Sequence, residues 1–281
     1  MTDDHGHAVS GPGRVQRVVT LSPALAELVF AAGAGRRLVG TVAYSDYPPA
    51  ARRVPRVGNA FSVNMEALLA LHPGLVLAWG GGTPPAQVQR MRSLGLQVAV
   101  LQSERLEDVA RHLRLIGRLA GTAGVAARAA HAYSRRLHRL RRKYAHRTPV
   151  PVFYQVSLQP LYTVGGPQII TRVLRLCGAR NVFAGLPEPA PRVSLEAVLA
   201  ADPRAIVYPD SFPAGRERRF WARLPRIAAV RHHDLLSVPA DAIARPAPRL
   251  LKAARVLCRK IAAVRSSSPG TNPGRAVGAA N

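Results

Sequence analysis

One phrase of this sequence occurs twice, first over residues 64–77 and again over residues 194–207. Each copy starts with a helix-capping residue, runs through a glutamate and a short apolar helix to a proline, and continues into an apolar strand. The repetition predicts two similar α/β units, because strands that alternate with helices favour parallel sheets. Each unit then presents one carboxylate, Glu66 or Glu196, at a corresponding place. Two matched units of this kind are typical of proteins that hold a ligand between them.

Strand and helix patterns alternate on both sides of one long helical segment. The expected fold class is α/β, with two lobes that are each a small, mainly parallel sheet flanked by helices and that are joined by a single long helix. Polar segments at both ends predict disordered tails. The boundaries that follow are a tail over residues 1–13, an N-terminal lobe over 14–121, a connecting helix over 122–148, a C-terminal lobe over 149–264 and a second tail over 265–281.

The formal net charge of +25 is the most unusual bulk property of the chain. Its densest basic run, residues 128–147, carries Ala, Tyr and Leu at helical spacing, which predicts a helix with a solvated basic face. No RNP motif, zinc finger or helix-turn-helix accompanies this run, so we expect no nucleic-acid partner. A protein that uses the charge to bind nucleic acid or another anionic surface is the alternative from a different functional class.

Motifs of catalysis and metal binding are missing from the sequence. It contains no G-x-S-x-G elbow, no P-loop and no H-E-x-x-H, and the run Gly80–Gly82 lacks the lysine that a phosphate-binding loop requires. The nine histidines are scattered. We therefore expect neither an enzyme nor a metal site or cofactor. No apolar stretch approaches the roughly 20 residues that span a bilayer.

Cys177 and Cys258 are the two cysteines of the chain. Neither belongs to a C-x-x-C motif, which argues against zinc and thioredoxin-type sites. From the residues alone, they are either two buried thiols or a disulfide that ties the C-terminal helix to its lobe in an oxidising compartment.

The chain start carries no visible secretory signal, because residues 1–14 are polar and lack the apolar run of about 7–15 residues that such a signal needs. A protein that works outside the cytoplasm needs an export route. If this one does so, we expect either a mis-assigned start or a processed form.

Aromatic residues are rare in this chain, and three of them directly follow apolar strands: Tyr44, Trp79 and Tyr162. The carboxyl ends of parallel strands line the ligand crevice in α/β proteins. Each ring either caps the core of its own lobe or contributes to one surface for a flat ligand, and three rings at equivalent rims favour the shared surface. Asp241 and Arg245, four residues apart, form either a surface ion pair or polar ligand contacts.

The two repeated glutamates also have a local explanation. Glu66 and Glu196 each lie in the first turn of a predicted helix, where the helix dipole favours a carboxylate. In a chain with 15 acidic and 40 basic residues, the matched pair nevertheless favours a second role, as docking points on the two lobes.

Several of these segments together resemble the family of periplasmic cobalamin-binding proteins that serve ABC importers. The segments are Tyr44–Pro49, Asn64–Glu66, Leu75–Gly81 and Asp241–Arg249. The similarity extends in order over residues 14–262, and Tyr44–Pro49 is its most specific part. The other motifs are shared with iron-siderophore and haem binders of the same helical-backbone class, which form the alternative, with Tyr44 or a histidine as the candidate iron ligand.

The resemblance implies a two-lobed binding protein, located in the periplasm, that captures cobalamin or a related corrinoid between its lobes and delivers it to a membrane permease as a monomer. Tyr44, Trp79 and Tyr162 match aromatic positions that contact the corrinoid, while Asp241 and Arg245 match a polar contact segment. Glu66 and Glu196 match carboxylates that engage permease arginines, and Cys177 and Cys258 match a disulfide.

This chain departs from the family at three positions of large planar contacts. Ala60, Ala190 and Ala242 stand where the family can carry tryptophan. Each loss removes apolar contact area worth about 25 cal/mol per Å². Phe61, beside Ala60, is expected to compensate in part. A related corrinoid such as cobinamide is therefore included among the expected ligands.

Overall fold

The computed structural model describes residues 1–9, 15–59, 61–211 and 215–267. Two compact units can be distinguished. The first consists of Met1–Arg139 and Asp241–Lys252, and the second consists of Leu140–Ala240 and Ala253–Asn281. The chain thus returns to the first unit for a short stretch late in the sequence. The sequence pattern did not predict this return, because it assigned one unbroken segment to each lobe.

Helices flank the sheets in both units. The longest are α5, with 22 residues, and α11, with 17 residues. The described residues form α1 (Pro23–Ala31), α2 (Met65–Ala70), α3 (Pro85–Ser93), α4 (Asp108–Leu119), α5 (Ala123–Tyr144), α6 (Ile169–Leu176), α7 (Leu195–Ala201), α8 (Arg216–Trp221), α9 (Ala228–Arg231), α10 (Ala240–Ile243) and α11 (Leu250–Ser266). Helix α5 lies within residues 122–148, the segment for which the sequence predicts a connecting helix.

Strands form two four-stranded parallel sheets and one antiparallel hairpin among the described residues. They are β1 (Val18–Thr20), β2 (Leu38–Gly40), β3 (Leu75–Trp79), β4 (Val98–Leu101), β5 (Val150–Tyr154), β6 (Ser157–Leu158), β7 (Leu161–Tyr162), β8 (Ala179–Asn181), β9 (Ala205–Pro209) and β10 (Leu235–Val238). The first sheet has the order β2-β1-β3-β4, the second β10-β9-β5-β8, and β6 pairs with β7. The predicted fold class, two parallel-sheet lobes flanked by helices, is confirmed.

The repeated phrase folds in the same way in both units. The side chains of Asn64 and Ser194 cap helices α2 and α7 by accepting hydrogen bonds from the backbone N–H groups of Ala67 (3.0 Å) and Ala197 (3.2 Å). Such caps satisfy N–H groups that have no partner inside the helix. Each helix leads into a central buried strand, β3 or β9. The sequence repeat is therefore a structural repeat.

The packing of the two repeats also matches. Leu68 and Val198, each two residues after the repeated glutamate, are fully buried in the cores of the first and second units. Burial of one such side chain contributes about 1.5–3 kcal/mol to stability. In the second core, Phe153 and Trp221 meet edge to face with centroids 5.7 Å apart. Anchoring by the buried residue fixes which helix face stays in solvent.

A disulfide joins Cys177 and Cys258 in the second unit. Cys177 directly follows α6 and Cys258 lies within α11, and both residues are fully buried. Of the two possibilities that the residues left open, the disulfide is the one that the structure contains. It fixes the C-terminal helix to the second unit, as the resemblance implied.

The N-terminal residues correct the expectation of a disordered tail over residues 1–13. Asp3 accepts a hydrogen bond from the N–H of Val100 (3.0 Å), and Asp4 accepts one from the N–H of Gln102 (2.7 Å). Val100 lies in β4, the edge strand of the first sheet, and Gln102 directly follows that strand, where backbone donors without a neighbouring strand need other partners. A prediction from polarity alone misses this pairing. Residues 10–13, and residues 268–281 of the second predicted tail, lie outside the described residues.

Asp4 makes the attachment of this segment sensitive to acid. Burial alone would raise the pKa of Asp4, but hydrogen bonds from His112, Arg111 and the N–H of Gln102 outweigh burial and hold that pKa well below its ordinary value of 3.8. A carboxylate with a lowered folded-state pKa stabilises the fold above its unfolded-state pKa, and this contribution is lost as the pH falls towards the folded-state value. The contribution of Asp4 is therefore complete at pH 5–7 and declines below about pH 3.8.

We expect Asp4→Asn to lower the free energy of unfolding by about 2 kcal/mol at pH 6, because hydrogen bonds to a charged group are lost. The difference between the two proteins should shrink below about pH 3.8, because the Asp4 carboxyl then takes up a proton in the unfolded chain while it stays ionised in the folded protein. Urea unfolding at a series of pH values measures both quantities. A difference that stays constant from pH 6 to pH 3 would contradict the role given to the Asp4 charge.

Candidate ligand-binding site

The carboxyl ends of the first sheet gather the predicted aromatic residues of the first unit. All strands of this sheet are parallel, so their carboxyl ends meet at one edge. Trp79 is the last residue of β3, and Tyr44 lies in the loop that follows β2. Trp79 is half-buried, whereas Tyr44 is 75% exposed. This edge is where α/β proteins bind ligands.

The indole of Trp79 lies flat against the glycine turn that follows it. A Cβ atom on Gly82 would come within 2.1 Å of Cζ3 of Trp79, and one on Gly81 within 2.9 Å of its Nε1. Thr83 closes the turn, since its hydroxyl accepts a hydrogen bond from the backbone N–H of Trp79 (3.1 Å). The glycines that resembled a phosphate-binding loop therefore provide the close approach that this indole needs. The ring is held in position before any ligand arrives.

Hydrogen bonds to the neighbouring residue Ser45 hold the loop that carries Tyr44. Tyr44 has a φ of +63°, a left-handed conformation that is uncommon for residues with a side chain and that occurs often at functional sites. The next residue, Ser45, is buried, and its hydroxyl accepts a hydrogen bond from Thr41 (2.9 Å). Arg56 donates to the Ser45 carbonyl (3.0 Å). The loop thus presents the Tyr44 ring to solvent on a well-anchored backbone.

Phe61 is a further exposed aromatic residue of the first unit, with 67% of its surface accessible. Its N–H donates to the side chain of Asn59 (2.9 Å), and its carbonyl accepts a hydrogen bond from Gln87 (2.8 Å). An exposed ring on a hydrogen-bonded turn is available for contact with a ligand. Ala60, one of the departures from the family, lies outside the described residues.

Asp241 and Arg245 form an ion pair of 3.3 Å within the first unit. The carboxylate of Asp241 is largely exposed, while the guanidinium of Arg245 is mostly buried. Arg245 also donates to Glu27 (3.4 Å), which is almost fully buried in α1. Arg249 donates to both oxygens of the same carboxylate, at 2.9 and 2.6 Å. The predicted surface pair is thus part of a larger polar cluster.

The sequence patterns assigned no role to Glu27, or to Arg249 at the end of the segment Asp241–Arg249. A signal was present, because Glu27 is the single charged residue of an otherwise apolar helix, Pro23–Ala31. A buried carboxylate needs cationic partners, which predicts an arginine or lysine close by. The identity of those partners was not readable, since they come from a segment more than 200 residues away in the chain.

Tyr162 lies in the second unit, at the hairpin that follows β5. It is half-buried, and its backbone pairs with Ser157 and forms a bridge to Arg192. Because β5 is parallel to β8 and β9, this hairpin belongs to the carboxyl edge of the second sheet. Tyr162 thus occupies an edge of the same kind as Tyr44 and Trp79 do in the first unit.

Glu66 and Glu196 are exposed, in the first turns of α2 and α7. The hydrogen bonds that its own backbone N–H and the Ser194 hydroxyl donate lower the pKa of Glu196, which is therefore ionised at neutral pH. The two acids stand at equivalent positions of the repeat, with equivalent buried neighbours. Each unit therefore carries one exposed carboxylate at the start of the repeated helix.

Of the three alanines that the resemblance places at tryptophan positions, two belong to the described residues. Ala190 is exposed, in a loop of the second unit, and Ala242 is nearly buried in α10. Tryptophan at either place would extend much further than the methyl group that is present.

The described part of the chain contains no group of three or more His, Cys, Asp or Glu side chains that could hold a metal ion. Within the same residues, no helix is both long and apolar enough to cross a membrane.

Comparisons with known proteins give consistent results. Residues 18–242 match the family described as periplasmic binding protein. The vitamin B12-binding protein of Vibrio cholerae is 35% identical over 248 residues, which are 88% of this chain and 89% of that protein. The crystal structure of the periplasmic vitamin B12-binding protein of Vibrio cholerae superposes with a TM-score of 0.86 at 32% identity, covering 91% of this chain and 100% of the other. A periplasmic haem-binding protein in complex with two haems gives a TM-score of 0.80 at 25% identity, covering 88% of this chain and 98% of the other.

Proposed function

This chain belongs to the periplasmic binding protein family, and from that premise we propose that it captures cobalamin or a related corrinoid and delivers it to an ABC importer. The observation that carries the proposal is its 35% identity, over 88% of its length, to a vitamin B12-binding protein. Proteins of this family are non-enzymatic solute binders. The corrinoid is accordingly a transported ligand and not a cofactor.

The aromatic residues support a flat ligand. Trp79 is a pre-positioned ring on a glycine turn, and Tyr44 and Phe61 are exposed rings on anchored loops of the same unit. A ring that is fixed before binding loses little side-chain entropy when the ligand arrives. We propose that these three residues and Tyr162 contact the corrin ring and that Asp241 and Arg245 contact its polar substituents.

The same family membership also suggests the macromolecular partners of this protein. We propose that Glu66 and Glu196 dock against arginines of the membrane permease, that the protein acts as a monomer in the periplasm, and that nucleic acid is not a partner. Exposed carboxylates suit this role because charge complementarity guides association between proteins. A net charge of +25 makes two exposed acids at matched positions a distinctive feature of the surface.

The direct test is binding of cyanocobalamin to the purified protein. We expect about one ligand per chain with a submicromolar Kd by calorimetry, and a red colour that is retained on dialysis. Cobinamide, titrated in parallel, tests whether the ligand needs its nucleotide loop. Absence of heat and of retained colour with both corrinoids would reject the proposed ligand.

We expect Trp79→Ala to weaken cyanocobalamin binding by roughly thirtyfold, corresponding to about 2 kcal/mol of lost apolar contact. Gly82→Ala should weaken it by roughly tenfold, since the new methyl group displaces the indole. Calorimetry measures both.

The double variant Trp79→Ala with Gly82→Ala tests whether the glycine acts through the position of the indole or through a general disturbance of the fold. Gly82→Ala should have no further effect in a Trp79→Ala background, because the two changes act through one ring. Gly185→Ala is the matched control, because a Cβ atom there meets nothing within 4 Å, and it should leave the Kd unchanged. Additive losses in the double variant would show that the glycine turn does not position the indole.

Haem binding is the second candidate, and the likeness to a haem-binding structure at a TM-score of 0.80 favours it. The exposed ring of Tyr44 would be the iron ligand in that case. An optical titration with haemin distinguishes the two functions. A stoichiometric shift of the Soret band that Tyr44→Phe abolishes, together with no retention of corrinoid, would establish haem as the ligand.

A further inference from the structure

A separate depression on the surface of the first unit lies beside the buried Glu27 cluster. It encloses about 320 Å³, which is the lower end of the volumes found for small-molecule sites. Its walls come from α1, from the loop after β2, from α5 and from the start of α11. The residues that line it and that matter for its chemistry are Phe30, Tyr47, Pro248, Arg136, Arg249 and Lys252.

The floor of this pocket is a fixed stack of charged and aromatic groups. Arg249 donates hydrogen bonds to both oxygens of Glu27, and its guanidinium lies 3.9 Å from the centre of the Tyr47 ring. Hydrogen bonding to Glu27 raises the pKa of Arg249 further, so the guanidinium is always charged. A guanidinium held on both sides keeps its geometry when a ligand enters.

The electrostatic balance of the lining is positive. Glu27 is its one carboxylate, and Arg245 and Arg249 already occupy the oxygens of that group. Arg136 and Lys252 add two exposed cationic groups at the rim. Within the described part of the chain, neither has a carboxylate at salt-bridge distance. Positive charge at the pocket is therefore left without internal compensation.

The apolar side chains that line the pocket favour a flat ligand. Phe30, Tyr47 and Pro248 offer ring surfaces, and a planar guanidinium also stacks on flat molecules. A volume of this size admits one or two fused rings and excludes a corrinoid. We propose that this pocket binds a small planar organic anion, an aromatic ring system that carries a carboxylate, sulfonate or phosphate group. The ring would lie against Phe30 and Tyr47, and the anionic group would face Arg136 and Lys252.

The test uses the full chain, with 2-naphthoate as the probe and 2-naphthamide as its neutral counterpart, by calorimetry at 150 mM salt. We expect one naphthoate per chain and at least tenfold weaker binding of the amide. Arg136→Ser combined with Lys252→Ser should weaken naphthoate binding at least tenfold, and Phe30→Ala should weaken both probes.

A matched control removes the same charge from elsewhere on the first unit. Arg128→Ser combined with Arg135→Ser removes two exposed arginines of α5 that do not line the pocket, and it should change the Kd by less than twofold. Equal losses in both double variants, or equal affinity for the amide, would overturn the proposal by showing general attraction of anions to a basic protein. Displacement of naphthoate by cyanocobalamin would also overturn it, because the probe would then occupy the corrinoid site. The four cationic side chains that the two double variants replace are exposed, so these variants should stay folded, whereas Phe30 is half-buried and Phe30→Ala therefore needs its urea unfolding curve measured alongside.

Discussion

Reversal of both docking charges, by Glu66→Arg together with Glu196→Arg, is expected to abolish corrinoid uptake in cells while cyanocobalamin affinity stays within twofold of wild type. Both carboxylates are exposed and lie at the outer start of their helices, so the substitutions leave the cores intact. Removal of one partner of a close charge pair at an interface costs about 2–5 kcal/mol, and reversal adds repulsion. Two reversals should therefore weaken association with the permease by more than about a hundredfold.

The design separates docking from ligand capture. Calorimetry on the purified double variant measures capture, and uptake of labelled cyanocobalamin by cells that express it measures delivery. The charge-retaining pair Glu66→Asp and Glu196→Asp is the matched control and should keep most of the uptake. Each single reversal should have an intermediate effect if the two units dock on separate permease subunits. Normal uptake in cells that express the double charge-reversal variant would show that these glutamates do not dock on the permease, even if the variant binds the corrinoid normally.

Much of the fold was predictable because its signals are local. The caps Asn64 and Ser194, the buried positions Leu68 and Val198 and the closing prolines recur in order, and each has a physical reason that acts within one turn of helix or one strand. The rims of the sheets were predictable for a related reason. In a parallel sheet the end of a strand and the loop after it lie at the ligand edge, so Trp79, the last residue of β3, could be placed from the strand pattern alone.

The features that could not be predicted from the sequence depend on contacts between segments that are far apart in the chain or on the position of a side chain. Asp3 and Asp4 looked like part of a solvated tail, yet they bond to the N–H groups of an edge strand about a hundred residues away. Glu27 gave a signal of its own, but its partners come from a segment that returns to the first unit late in the chain. The glycine turn after Trp79 was visible as a motif, and only the position of the indole shows what it is for.

The disulfide should be the largest single contribution to the stability of the second unit. It closes a loop of 81 residues, and the loss of chain entropy in the unfolded state corresponds to about 4.5 kcal/mol in the loop-closure model. Cys177→Ala combined with Cys258→Ala is therefore expected to lower the free energy of unfolding by about 4–5 kcal/mol, measured by urea denaturation.

Reductant supplies the matched control for this prediction, because it breaks the same bond without a change in side-chain volume. Dithiothreitol should bring the wild-type protein close to the double alanine variant once the buried disulfide becomes accessible on unfolding, and it should leave the variant itself unaffected. The remaining difference between reduced wild type and variant reports the cavities that two truncated, fully buried side chains leave behind. A double variant that loses less than about 1 kcal/mol would mean that packing of α11 against the second unit, and not the covalent link, holds the C-terminal helix in place.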